Sequence, residues 1–390
     1  MKDSEGLDGI LNNLPALAEE IRQLKEIILT NAVMVAEIPA PTQREERRVR
    51  FLCDRFTECG ISDISTDEES NVTARIPGEE GKRNILIAAN ADSVFTDGVD
   101  HTVSLGADVI DGVGLGDNAL GVAALVTLPS LLEHLGVKLR NNLILTAASR
   151  TLGRADLQGF NFFLDHVKDP IDTAVCIRGS ELGRISYSSL GAVRGQVTVA
   201  FEEEQAWARQ NFPGAIVDME AVLHKILSIP VPQTPKTSIL LGSINAGATF
   251  NTAPSSATLQ FEIRSEDAGI VQHIEREIDL AVEEVDAGTT ASVKLSVFGR
   301  REPGALAYAH PMPQVAHDTL RALDLQPRVR PSAGLLSSLI SRNIPAITIG
   351  LTERAGRQEV NETMKIAPLF KGLAQLISLI RAIDSGYCHE

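Results

Sequence analysis

Between Asp92 and Asp117 the chain carries Asp92, Asp97, Asp100, His101, Asp108, Asp111 and Asp117, enough oxygen donors in one stretch to hold a hard cation. Their spacing matches no calcium loop, so a solvated acidic loop is the plainer account. Ser149 ends an apolar run and is followed by Arg150. Nucleophilic use of its hydroxyl would need an adjacent base, and no G-x-S-x-G elbow surrounds it, which favours a structural serine. Cys176 lies inside an apolar run, where a buried inert thiol is expected. Of the eight histidines, no two stand four apart on one helix, which argues against a zinc site built from a helical histidine pair.

The elements that must position these residues follow from periodicity. Short apolar runs at Ile85 to Ala89, Leu143 to Ala147 and Thr173 to Ile177 alternate with helical stretches such as Ala119 to His134, a pattern that predicts a mainly parallel sheet covered on both faces. Ahead of them Leu7, Ile10, Leu11, Leu14, Leu17, Ile21, Leu24 and Ile28 form one apolar stripe, read as an N-terminal helix despite Pro15. From about residue 190 the texture changes. A strand (Gly195 to Phe201), a helix (Ala215 to Leu227), two strands (Ser238 to Ile244, Ala257 to Ile263), a helix (Gly269 to Val285) and a strand (Ala291 to Val297) suit a small α+β layer. The first texture returns after Pro303 with a helix near Pro313 to Leu323, the strand Ala346 to Leu351 and a helix from Ala367 to Ile383. The expected domains are therefore 1–189 with 303–390, interrupted by 190–302.

Where the first core strand ends the chain reads Asn90-Ala91-Asp92, and later Gly112-Val113-Gly114-Leu115-Gly116-Asp117-Asn118-Ala119-Leu120-Gly121-Val122-Ala123. This segment resembles the G-x-G-x-x-D-N-x-x-G-V-A-A pattern of the dinuclear-zinc metallopeptidase family of aminoacylases, carboxypeptidase G, peptidase T and acetylornithine deacetylase. Ile38-Pro39-Ala40-Pro41-Thr42, Asn71-Val72 and Pro77-Gly78 agree with it, and Leu241 to Pro254 with Phe261 to Ser265 look like the family's lid and dimerisation domain. The resemblance implies a zinc-peptidase-like α/β fold with an inserted α+β lid, two zinc ions at strand ends, a glutamate base and amide hydrolysis. Such a site works because two Lewis acids acidify a shared water and stabilise the oxyanion, and it needs imidazole or carboxylate lone pairs.

Measured against that pattern, the first ligand histidine is replaced by Asn90, while Asp92, which orients it in the family, and the bridging carboxylate Asp117 remain. The general base falls on Ser149, and the next ligands on Arg150, Arg178 and Gln358, with Glu362 in the family's acidic place. Four of the five implied ligands are thus absent, and no bound zinc is expected. Arg150 and Arg178 are expected to face Asp92 and Asp117 and to replace the metals electrostatically. In the lid, the family's substrate-facing asparagine and arginine map to Asn251 and Arg264, whose plainer roles are a turn cap and a local ion pair. The lid histidine falls near Gln205, and the polar S-T-D-A-N wall is now Ala333 to Ser337.

The implied function is a metallopeptidase-like protein with a lost zinc site, a non-catalytic binding or assembly protein. It would form a homodimer through the lid or pair with an active relative. The alternative is a metal-dependent peptidase or amidohydrolase with atypical ligands, in which case zinc is the cofactor. A net charge of −15 over 390 residues opposes binding to phosphate backbones and anionic lipid, so neither nucleic acid nor membrane is an expected partner. Four cysteines (Cys53, Cys59, Cys176, Cys388) without metal-type pairing, and a polar start, predict a cytoplasmic protein with reduced thiols.

Overall fold

A computed structural model describes residues 6–201, 214–250, 252–355 and 361–388. The chain divides into two compact units, Met1–Ser188 with Ala305–Glu390, and Ser189–Gly304.

The first unit is built on an eight-stranded sheet in the order Asp63–Thr66, Val72–Ile76, Asn142–Ala148, Asn84–Asn90, Thr173–Arg178, Ala346–Gly350, Arg184–Ser186 and Arg328–Val329. Its four central strands, from Asn142–Ala148 to Ala346–Gly350, run parallel, as the alternation of strand and helix predicts. The period-two rule is visible in Asn84–Asn90. Ile85, Ile87 and Ala89 join the core that contains Leu125 and Leu376, while Leu86 and Ala88 join the one that contains Phe160 and Leu336. Each face is closed by helices, including the apolar Leu120–His134 on one side and Gln158–His166 on the other. The stretch Leu115–His134 has the length and apolar composition to cross a bilayer, but it is 89% buried inside the fold.

The N-terminal stripe is real, but it is cut into three helices, Leu7–Asn12, Leu14–Gln23 and Lys25–Ala36. Pro15 lies in the first turn of the second, where its missing N–H costs nothing, so it starts a helix rather than lying inside a single long one. Ile10, Leu14, Leu17, Ile21 and Ile28 nevertheless remain buried.

The second unit is a four-stranded antiparallel sheet, ordered Thr237–Ala246, Ser256–Ser265, Gly191–Ala200 and Ser292–Arg301. The helices Ala215–Ser228 and Ala268–Gly288 share one core with it, formed by residues such as Val197, Leu259, Ile263, Val222 and Ile278.

Candidate functional site

The candidate site lies in the first unit, where parallel strands end and chain reversals deliver Asn90, Asp92, Asp117, Ser149, Arg150 and Arg178. Asn90 and Arg178 close their strands, and Ser149 and Arg150 follow the strand Asn142–Ala148 directly. Asp117 sits in a tight turn, Leu115–Ala119, entered through Gly114 at φ +66°, a left-handed conformation that suits glycine. The turn approaches the end of the Arg178 strand so closely that a Cβ on Gly179 would stand 2.8 Å from the Leu120 Cβ and 2.9 Å from the Gly116 carbonyl oxygen.

Asp92 is fully buried and saturated with donors. Its Oδ2 accepts from Thr151 N at 2.8 Å, Leu152 N at 2.9 Å and Thr42 Oγ1 at 2.9 Å, while its Oδ1 accepts a short bond from Thr151 Oγ1. The same Thr151 hydroxyl accepts from Asn90 Nδ2 at 2.5 Å. Asn90, Thr151 and Asp92 therefore form a relay in which the asparagine is held as a donor. Beside it, the buried Arg48 donates to the carbonyls of Ala91 (2.9 Å) and Ile38 (2.5 Å). Burial lowers its pKa to about 10, against the opposing pull of Asp92 and Glu45. Glu45, also buried, is raised above the ordinary carboxylate value, chiefly by desolvation.

Asp117 is met by cations. Arg178 NH2 donates to its Oδ1 at 2.8 Å, and Arg354 NH2 reaches its Oδ2 at 3.3 Å. Burial acts to lower the Arg178 pKa, but Asp117, Glu181 and Glu362 together hold it above the usual arginine value.

The expected pairing of Arg150 needs correction. Its backbone N–H donates to Glu45 Oε1 at 2.8 Å, and its guanidinium pairs with Glu69 at 2.5 Å, facing neither Asp92 nor Asp117. Asp92 already has four donors, so Arg150 pairs with a carboxylate that also takes Gln158 Nε2 at 3.1 Å. Thr151, Glu69 and Arg354 were not singled out in the sequence. An alternating pattern of donors and carboxylates across distant segments leaves no local motif to read.

Ser149 is buried, donates its hydroxyl to the Ser70 carbonyl at 2.7 Å and donates its N–H to Asn71 Oδ1 at 2.9 Å, an arrangement of a structural residue. The buried Cys176 thiol is pushed up to about 12 by desolvation. Leu335 and Leu336, in the segment aligned with a polar wall, pack into the core on the Phe160 side of the sheet. Gln358, Asn251 and Gln205 lie outside the described residues. In the second unit, Arg264 Nε donates to Glu262 Oε1 at 2.8 Å, and Arg194 and Arg301 share the same carboxylate at 3.1 and 3.4 Å.

As placed, these groups do not fit a zinc ion. Asn90 and Arg178 present N–H donors where lone pairs are needed, and among the described residues no three His, Cys, Asp or Glu side chains converge.

Residues 188–290 match the peptidase dimerisation domain family, and residues 71–149, which contain Asn90, Asp92, Asp117 and Ser149, match peptidase family M28. The chain resembles the metallopeptidase family. Solved structures agree on the fold. Aminopeptidase PepT from Bacillus cereus superposes with a TM-score of 0.69 at 15% identity, over 92% of this chain and 98% of that one. The di-peptidase Dug1p from Saccharomyces cerevisiae gives 0.77 at 12%, over 96% and 99%. Human carnosine dipeptidase 1 gives 0.71 at 14%, over 97% and 100%. A search of curated proteins found no match. The likeness in fold thus covers nearly the whole chain.

Proposed function

We propose that this metallopeptidase-like protein has lost its zinc site and acts in the cytoplasm as a non-catalytic binding or assembly protein. The observation that carries the reading is the Arg178 guanidinium 2.8 Å from Asp117, the one carboxylate kept from the implied ligand set. A fixed cation there opposes a metal by charge and by volume. The committed hydroxyl of Ser149 and the donor role of Asn90 support the same reading, because neither offers a base.

A homodimer through the inserted unit is part of this proposal. It is supported by the match to a dimerisation domain and by the outer strand Thr237–Ala246, which exposes Leu240, Leu241 and Ile244. Pairing with an active relative would use the same surface.

The second reading, a metal-dependent peptidase or amidohydrolase of small peptides or N-acyl amino acids with atypical ligands, is favoured by the persistence of Asp92, Asp117 and Glu362. Metal content per chain, measured on protein from zinc- and cobalt-supplemented cells after exhaustive buffer exchange, separates the two. The expected value is near zero; about two per chain, as in a dinuclear site, would overturn the non-catalytic reading. Restoring Asn90→His, Ser149→Glu, Arg150→Glu, Arg178→Asp and Gln358→His together tests whether the ligand set is all that was lost.

A further inference from the structure

Four charged side chains from distant parts of the first unit close into a chain of alternating sign. Arg178 NH2 holds Asp117 Oδ1 at 2.8 Å, Arg354 NH2 holds Asp117 Oδ2 at 3.3 Å, and the same Arg354 nitrogen holds Glu362 Oε1 at 2.6 Å. Glu362 Oε2 then accepts the N–H of Gly116 at 2.6 Å, beside Asp117 in the same turn. The segments joined are the turn Leu115–Ala119, the end of Thr173–Arg178, the stretch after Ala346–Gly350 and the strand Asn361–Lys365.

We infer that Arg178 and Arg354 together do the structural work of a bound metal pair: they neutralise Asp117 and Glu362 and tie the turn to the chain on either side of residues 356–360. The inference rests on the reading that no zinc is held here, and it names Arg354 as the second cation. Two carboxylates drawn toward one turn repel each other unless a cation lies between them, and Arg354 bridges both. Guanidinium suits this role because it keeps its charge and offers several N–H donors in one plane, so one group can serve two acceptors. Arg354 and Asp117 are about half exposed, at 44% and 42%, whereas the Glu362 side chain is only 11% exposed. The least exposed member is thus the one that most needs its partner, because a carboxylate largely shielded from water is costly without a cation while an exposed pair contributes little. Two cations against two anions also leave no net negative charge to attract a divalent ion.

The test uses full-length wild type, Arg178→Met, Arg354→Met and the double variant, each titrated with Zn2+ in competition with a chromophoric chelator and melted with and without Zn2+. Wild type is expected to compete no better than buffer and to melt at the same temperature with or without metal. The double variant is expected to melt lower than wild type, to gain Zn2+ affinity by about tenfold or more through the freed carboxylates, and to recover stability when Zn2+ is added. Adding Asp117→Asn to the double variant should abolish that response. Should the double variant fail to fold, Arg354→Met alone carries the same comparison, since its side chain is half exposed. A double variant as stable as wild type and indifferent to Zn2+ overturns the inference and leaves the non-catalytic reading standing. Wild-type protein that takes up zinc without hydrolysing anything also overturns it. Zinc uptake with hydrolysis by wild type overturns the non-catalytic reading itself.

Discussion

Asp92 shows how a fully buried carboxylate can be held in place by its hydrogen bonds. A fully buried carboxylate is tolerable only when its lone pairs are filled, and Asp92 has two backbone N–H groups and two hydroxyls on it. Thr151 supplies two of those four donors and also accepts the Asn90 amide. Thr151→Val removes the hydroxyl while keeping the shape, and leaves both Asp92 and Asn90 short of a partner. The expected loss is about 1–3 kcal/mol in denaturant unfolding, with Thr151→Ser recovering most of it. A valine variant as stable as wild type would mean that the relay contributes nothing. Glu262 makes a second residue-scale case. Burial opposes its charge, yet Arg264, Arg194 and Arg301 hold its pKa below the ordinary 4.5. A carboxyl whose folded pKa is depressed contributes its full stability above the unfolded value and loses it as pH falls through the folded one. Glu262→Gln should therefore destabilise by about 2 kcal/mol at pH 7, and the gap to wild type should close as pH falls below about 4.5. Paired urea melts at pH 7 and at acid pH read this directly, and a gap that does not narrow on acidification counts against it.

The elements that carry the site were legible where periodicity is strong and hidden where polar chemistry decides. The run Ile85 to Ala89 marked the strand Asn84–Asn90 because both of its faces are buried, which leaves a continuous apolar signature. The helix Glu46–Glu58 was not read, because Arg and Glu dominate it and only Arg48, Val49, Leu52 and Phe56 turn inward. The small sheet that sets the strand Asn361–Lys365 against Val109–Val113 was also missed, and with it the route by which Glu362 reaches the turn at Gly116. Strand ends gave the positions of Asn90 and Arg178, but the choice of partner for Arg150 depended on Glu69, which no spacing rule connects to it. Gly179 shows what the elements demand of each other here. Any side chain at this position meets the Leu115 and Gly116 carbonyl oxygens at 2.9 Å, and backbone atoms in a tight turn cannot yield as a flexible side chain would. Gly179→Ala is expected to cost about 1–3 kcal/mol and to weaken the Arg178 contact with Asp117, seen as a larger response of unfolding to added salt. Equal stability of the alanine variant would show that the turn can move away from the strand.

At the scale of the whole molecule, the proposed non-catalytic role needs a surface through which the chain could bind a partner. The inserted unit offers one that does not depend on catalysis. Its sheet ends in Thr237–Ala246, paired on one side with Ser256–Ser265 and, among the described residues, open on the other, with Leu241 at 38% and Ile244 at 55% exposure. An open strand edge with apolar side chains invites pairing with another chain, and natural edges are usually blunted by charge, proline or a covering segment. The helix Ala215–Ser228 adds exposed Ile216, Val217 and Leu227. A chain of net charge −15 repels its own copies at long range, so association needs this local apolar surface to outweigh the repulsion. Placing Leu241→Glu and Ile244→Glu together adds charge on the edge and removes apolar contact at once. Light scattering at matched concentration is expected to move from a dimer mass in wild type to a monomer mass in the variant, with circular dichroism unchanged because both side chains are exposed. Added salt should favour the wild-type dimer by screening the like charges. A wild type that is monomeric at every salt concentration would remove the homodimer and leave an unlike partner as the occupant of this edge.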